Sequence, residues 1–216
     1  MKISKYKFRD IDKKWILIDR PKDIKKIKKK NKIDLSLDPV LGIIYIDHDM
    51  GLTIRILGNI YKENSEYLFL DKFINENIIN IRIDKKNDFN ITILNDKVVE
   101  GINNTLAINK QIDVYYSKKA IIESRKMECL DIFRHKYFPD DIELYNKKDD
   151  DDEIIWGRII DCSINDKIVI CELLDNSLID EKYKEHTLVM AKYEETKNDE
   201  AIVIKSNVKK VEKTAN

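Results

Sequence analysis

Apolar residues along this chain come in short runs, not long stripes. Trp15-Ile16-Leu17-Ile18 lies between charged flanks and reads as a strand. Ile43-Ile44-Tyr45-Ile46 and Leu52-Thr53-Ile54-Arg55-Ile56-Leu57 read as paired strands. The link between them, Asp47-His48-Asp49-Met50-Gly51, has hairpin chemistry, because Asp tolerates unusual backbone angles and Gly51 supplies a positive φ. Tyr67-Leu68-Phe69-Leu70 predicts a third strand or the start of a short helix. Ile79, Ile81 and Ile83 alternate with polar residues, and Phe89, Ile91 and Ile93 do the same after Lys85-Lys86-Asn87-Asp88. That period of two predicts a hairpin between these segments, each burying one face. From Gly101 to Ser117 the alternation weakens, yet Leu106, Ile108, Ile112, Val114 and Tyr116 still predict strand.

Helical spacing occurs twice. Asp19-Arg20-Pro21 stops the first strand and places Pro21 in the first turn of a helix, with Ile24 and Ile27 three apart among lysines. Ile121, Ile122, Met127, Leu130 and Phe133 predict a helix from about Lys119 to Arg134, with Cys129 beside the stripe. Pro139 ends that territory, since it disfavours α geometry in Phe138 before it. Five apolar runs follow: Ile142–Leu144, Ile154–Ile160, Ile168–Leu174, Thr187–Tyr193 and Ala201–Ile204. Polar turns separate them, at Asn146–Glu153, Ser163–Asp166, Asp175–Ser177 and Thr196–Glu200. Short, evenly spaced strands predict a compact antiparallel sheet or small barrel. The fold class is therefore α+β. A β-rich part over 1–117 leads to a connecting helix over 118–136, a small antiparallel β module over 137–207 and a frayed tail over 208–216.

Composition changes this picture little. Apolar residues make up 43% of the 216, enough for a core, while charged residues reach 37% against an average near ~25%. The excess of Lys, Asn, Ile and Asp fits an AT-rich genome. Lysine plus arginine and aspartate plus glutamate balance at 40 each, which argues against a nucleic-acid binder with a basic total. Three cysteines without CxxC spacing predict free thiols and a reducing compartment. The first residues carry no apolar signal segment, and no apolar run approaches the ~20 residues that span a bilayer. The expectation is a cytoplasmic protein with no membrane partner.

Candidate chemistry is sparse. A histidine flanked by carboxylates, Asp47-His48-Asp49, has the donor types for a metal or a general base. Successive strand residues point to opposite faces, however, so the three do not converge without a bulge. Lys25, Lys26, Lys28, Lys29, Lys30 and Lys32 form a basic stretch within Lys22–Lys32, but no aromatics are interleaved to stack on bases. Asp149, Asp150, Asp151, Asp152 and Glu153 are five acids in a row without the alternating ligands or central Gly of a calcium loop. They suit docking to a basic partner, which needs no ordered geometry. With five glycines in the chain, no GxSxG, GxGxxG or GxxxxGK[ST] occurs. Trp156, on an apolar strand, is expected in the core, and Cys162 and Cys171 are expected as strand-buried, inert thiols.

Phe138-Pro139-Asp140-Asp141, the Trp156 strand and Glu172-Leu173-Leu174-Asp175-Asn176 together give residues 137–193 a resemblance to uncharacterised bacterial domains. In these, an aromatic-Pro-Asp-Asp element precedes a Trp-bearing strand. The chain departs from the pattern at Asp175-Asn176-Ser177, where a Pro-containing turn is usual. The resemblance implies a small β-rich cytoplasmic module and supplies no catalytic residue.

These readings converge on a non-enzymatic bacterial or phage protein of regulatory, immunity or inhibitor type. It is expected to bind a protein partner through Asp149–Glu153, with no catalytic residue, metal or cofactor. The alternatives are a metal-dependent activity at Asp47-His48-Asp49 and nucleic-acid binding through Lys22–Lys32.

Overall fold

The computed structural model describes residues 1–20, 22, 23, 25, 27, 29, 39–63, 66–69, 79–95, 112, 118–195 and 199–208. It is mostly β, with 51% of residues in strands, so the α+β expectation holds in outline with helices as minor parts. The chain divides into two compact units, Met1–Tyr116 and Ser117–Asn216. Among the described residues no helix is long and apolar enough to cross a membrane.

The first unit is built on an antiparallel sheet. Its strands are β1 (Trp15–Ile18), β2 (Val40–Asp47), β3 (Gly51–Glu63), β4 (Glu66–Phe69), β5 (Ile79–Arg82) and β6 (Thr92–Ile93). The order is β4-β3-β2-β1-β6, with β5 also paired to β3. The predicted β2–β3 hairpin forms, closing at Asp47↔Gly51 with Gly51 at φ 74°. The predicted hairpin between 79–83 and 89–93 does not form. β5 pairs with β3, at Ile54↔Ile81, and β6 pairs with β1, at Ile16↔Ile93. The alternation was a sound guide to burial, since Ile81, Ile83, Phe89 and Ile91 are all buried. It carries no information on which strand is the neighbour. The intervening chain is held locally instead, because Asp84 Oδ1 accepts the Lys86 and Asn87 amides, each at 2.7 Å.

One buried face per strand was also too little. β1 is buried throughout, and β2 is buried up to Asp47. One face carries Trp15, Leu17, Leu41, Ile43 and Tyr45, and Ile16, Ile18, Ile44 and Ile46 alternate with them and are equally buried. A continuous apolar run is the mark of a strand covered on both sides. The opening residues, not assigned an element from the sequence, form a 3₁₀ turn (Ile3–Lys5) and helix α1 (Phe8–Ile11). Ile3 donates its amide to Phe89 O, and Ser4 bonds Asp88 through both amide and hydroxyl. In the basic stretch, Lys22, Asp23, Lys25, Ile27 and Lys29 are helical, as predicted, and Ile27 is buried. Lys26, Lys28, Lys30 and Lys32 lie outside the described residues. Of the strand predicted over 101–117 only Ile112 is described, and it is helical.

The second unit begins with helix α2 (Lys119–Ser124), a 3₁₀ turn (Glu128–Phe133) and β7 (Arg134–His135). The connecting helix expected over 118–136 is thus two short pieces, and Ile121, Met127 and Leu130 bury themselves in this unit's own core. Two arginines explain the break. Arg125, at the end of α2, reaches Asp140 with Nε and Nη2 at 2.9 and 2.7 Å. Arg134 donates to Ser124 O at 2.6 Å, so a guanidinium takes the place of the next helical amide.

Five strands follow: β8 (Phe138–Lys148), β9 (Asp151–Ser163), β10 (Ile168–Leu173), β11 (Leu188–Glu195) and β12 (Glu200–Asn207). Each pairs antiparallel with the next. A meander of five strands ends running in the direction it started, so closing it requires a parallel pair. β12 meets β8 in that sense at Val203↔Tyr145, giving a closed five-strand barrel. Ile142 and Leu144 of β8, Ile155 and Ile159 of β9, Val169, Cys171 and Leu173 of β10, Val189 and Ala191 of β11, and Ile202 and Ile204 of β12 fill it. Gly157 lies opposite Ile142, where an added Cβ would come 2.5 Å from Leu144 Cδ1 and 3.0 Å from Cys171 Cβ.

Candidate interaction surface

Period-two alternation on β8 and β9 decides which side chains leave the barrel. Ile142, Leu144 and Asn146 point inward, so Asp141, Glu143, Tyr145 and Lys147 line the outside. Their cross-strand partners on β9 are Arg158, Trp156, Ile154 and Asp152. Trp156 is therefore an outer-face residue, not the core residue expected, because the register puts Ile155 and Gly157 inside.

Asp141 holds Arg158 through both carboxylate oxygens, at 2.7 and 3.2 Å. With Asp140 on Arg125, both acids of the Phe138-Pro139-Asp140-Asp141 element are spent on arginines. Trp156 meets the His135 ring edge-on, at 5.3 Å between centroids and 78° between planes. Phe138 stacks on the same imidazole at 5.3 Å, and the Tyr137 amide donates to its Nδ1 at 3.2 Å. Ile154 stands beyond this aromatic group with 64% of its surface exposed. Tyr145 donates its hydroxyl to Asp152, and that bond, with burial, pushes the phenol above its ordinary value.

The five predicted acids do not share one environment. Asp149 and Asp150 form the two-residue link between β8 and β9, with Asp149 at φ 54°. The turn expected over 146–153 is thus mostly strand, closing at Lys148↔Asp151. Asp151 and Asp152 are exposed, and Asp152 takes the Tyr145 hydroxyl. Glu153 points the other way. It accepts Asn146 Nδ2 at 2.8 Å, the Leu178 amide at 2.9 Å and the Ser177 hydroxyl, and so pins the loop after β10. Burial raises the Glu153 carboxyl, but the donors of Ser177, Leu178 and Asn146 outweigh it and hold it below its usual range.

Where β8 and β12 close the barrel they share a single register pair, and a groove of about 560 Å³ opens along that seam. Phe133, Leu144 and Ile202 give it an apolar lining, and Tyr145 and Ile154 reach it from the outer face. Among the described residues its carboxylates are Glu143, Glu194, Asp199 and Glu200, and its ammonium is Lys147. Glu194 pairs with Lys205. Tyr193, pushed up to about 12 by burial and by bonding to Glu200, keeps its proton and fixes that carboxylate. None of these four acids was singled out in the sequence. Glu194 ends β11, Glu200 opens β12 and Asp199 lies between them, and only barrel closure brings these three beside Glu143 on β8. The signal available was the odd number of strands in a meander, which sets the last beside the first.

The other candidates stand elsewhere. Asp47 Oδ1 accepts the Asp49 and Met50 amides at 2.9 and 3.0 Å, so that carboxylate builds the hairpin turn. Among the described residues no three His, Cys, Asp or Glu side chains gather in a metal-binding group. Asp23 of the basic helix is held to Asn90. Burial pushes all three thiols up, Cys171 furthest, and Cys129 and Cys162 pack at the margin of the barrel core. His186 places Nδ1 2.7 Å from Glu172 on the surface. Compared with known proteins, the chain matches no family model, no curated protein and no solved structure.

Proposed function

We propose that this chain is a non-enzymatic binding protein of a bacterium or its phage, of the regulatory, immunity or inhibitor type, acting on a protein partner. The observation that carries the reading is Ile154, 64% exposed on the outer face of β9. It stands between Asp152 and Trp156 along its strand and opposite Tyr145 across it. An apolar centre with aromatic neighbours and a charged rim is the anatomy of a protein interface. The titratable groups nearby support the same reading, since Asp140, Asp141 and Glu153 are engaged in ion pairs or hydrogen bonds within the fold. Asp149 and Asp150, at the tip of the hairpin, would steer a basic partner towards that face.

The test is affinity capture from native lysate with the tagged chain, beside Ile154→Asp. The expected result is a stoichiometric partner held by the wild type and lost by a variant with an unchanged circular dichroism spectrum. Recovery of no stoichiometric partner, or equal recovery by both proteins, overturns the reading.

A further inference from the structure

We propose that the first unit carries a surface for single-stranded nucleic acid, built on Lys5-Tyr6-Lys7-Phe8-Arg9 and the loop over 84–88, and independent of the protein-partner reading above. The balanced total of 40 basic and 40 acidic residues hides where the charges stand. Ser4 donates its amide and hydroxyl to the two oxygens of Asp88, at 2.8 and 2.6 Å, and Lys2 bridges to Asn90. These bonds lay the N-terminal segment beside a loop 84 residues away, so that Lys5 and the pair Lys85 and Lys86 flank one junction. Asp23 adds the basic helix, since its Oδ2 accepts the Asn90 amide at 3.1 Å and brings Lys22 and Lys25 to the same neighbourhood. All five of these lysines are exposed.

Two further observations narrow the ligand. The acids among these lysines have their oxygens taken up by the fold. Asp84 accepts the Lys86 and Asn87 amides, Asp88 accepts Ser4, and Asp10 accepts the Lys7 amide at 3.2 Å. Lys5, Lys85 and Lys86 pair with no carboxylate among the described residues, so their ammonium groups are open to an anion. The second observation is aromatic. Tyr6 and Phe8 alternate with Lys5, Lys7 and Arg9, and both rings are half-buried. The basic stretch Lys22–Lys32 lacks such interleaving, and the fold supplies it from another segment. Arg9 lies over the Phe8 ring, 5.0 Å from its centroid, a planar cation on a ring that extends the stacking surface. Ammonium groups for phosphates beside rings for bases hold unpaired strands without reading their sequence. A duplex keeps its base faces covered and offers only its phosphates, and an acidic peptide offers charge with nothing to stack.

The probes are fluorescein-labelled oligonucleotides of about twelve nucleotides, within the ~4–16 that such surfaces cover, titrated with the full chain and followed by anisotropy. One is a single strand of mixed sequence, one is the duplex of the same length, and polyglutamate serves as competitor. Expected is binding of the single strand, about tenfold weaker binding of the duplex, and little displacement by polyglutamate. Affinity should fall with salt, the logarithmic slope being about −0.7 for each phosphate neutralised. Lys85→Ser with Lys86→Ser should weaken binding and make that slope shallower by about 1.4. Tyr6→Leu should weaken binding about tenfold and leave the slope unchanged, since it removes stacking and no charge. Loss of fold would change both together. No binding of the single strand, equal binding of the duplex, full displacement by polyglutamate, or variants with wild-type affinity and slope would overturn the proposal. Ultraviolet crosslinking of the single strand to wild type gives a readout that needs no variant. Crosslinks confined to residues after Ser117 also count against it.

Discussion

Gly157 shows how one residue sets the barrel interior. Its neighbours in register, Ile142 and Leu173, are both fully buried. A methyl group there would sit 2.5 Å from Leu144 Cδ1, which can rotate, and 3.0 Å from Cys171 Cβ, which is fixed to the β10 backbone. Overpacking of this kind costs about 1–3 kcal/mol. Gly157→Ala should therefore lower the melting temperature without changing the β spectrum, as thermal denaturation followed by circular dichroism will measure. At the same scale Trp156 shows the limit of residue type as a guide. Tryptophan on an apolar strand is most often core, but the side of the sheet it takes depends on register with β8.

At the scale of the element, the β8–β9 hairpin separates two jobs. Its outer face carries Tyr145, Ile154 and Trp156, and its inner face sends Glu153 across to the Ser177–Asp180 loop. Because the Glu153 carboxyl is held below its ordinary value, its contribution is complete above the unfolded-chain value and fades as pH falls through the folded one. Glu153→Gln should lose about 1.5–3 kcal/mol at pH 7, the size of hydrogen bonds to a charged group. The gap from wild type should narrow below about pH 4, where the unfolded glutamate also holds its proton. Urea unfolding at pH 7 and pH 3 measures both. The helix predicted over 119–134 failed at this scale. Its apolar stripe was real, since Ile121, Met127 and Leu130 are buried, but Arg125 is drawn to Asp140 on β8 and Arg134 takes the Ser124 carbonyl at the end of α2.

At the scale of the whole molecule, the two units have separate cores. Barrel closure makes each of the five strands paired on both sides, leaving β7 as a short edge. Closure of this kind removes exposed edges, the usual route to aggregation. A fragment from Ser117 to Asn216 should accordingly fold alone, giving a β-type circular dichroism spectrum and one cooperative thermal transition. A fragment that stays unfolded at low temperature would show that its core depends on the first unit.

The chain's local chemistry was legible in the sequence wherever structure answers to near neighbours. The β2–β3 hairpin, the run of C-terminal strands and the burial of Ile81 and Phe89 all follow from period, turn residues and apolar clustering. Tertiary structure alone decided the neighbours of β5 and β6, the outward side of Trp156, the role of Glu153 and the groove between β8 and β12. Periodicity states which face of a strand is apolar but not which strand lies beside it, because pairing energy is nearly the same for many partners and only the common core selects among them.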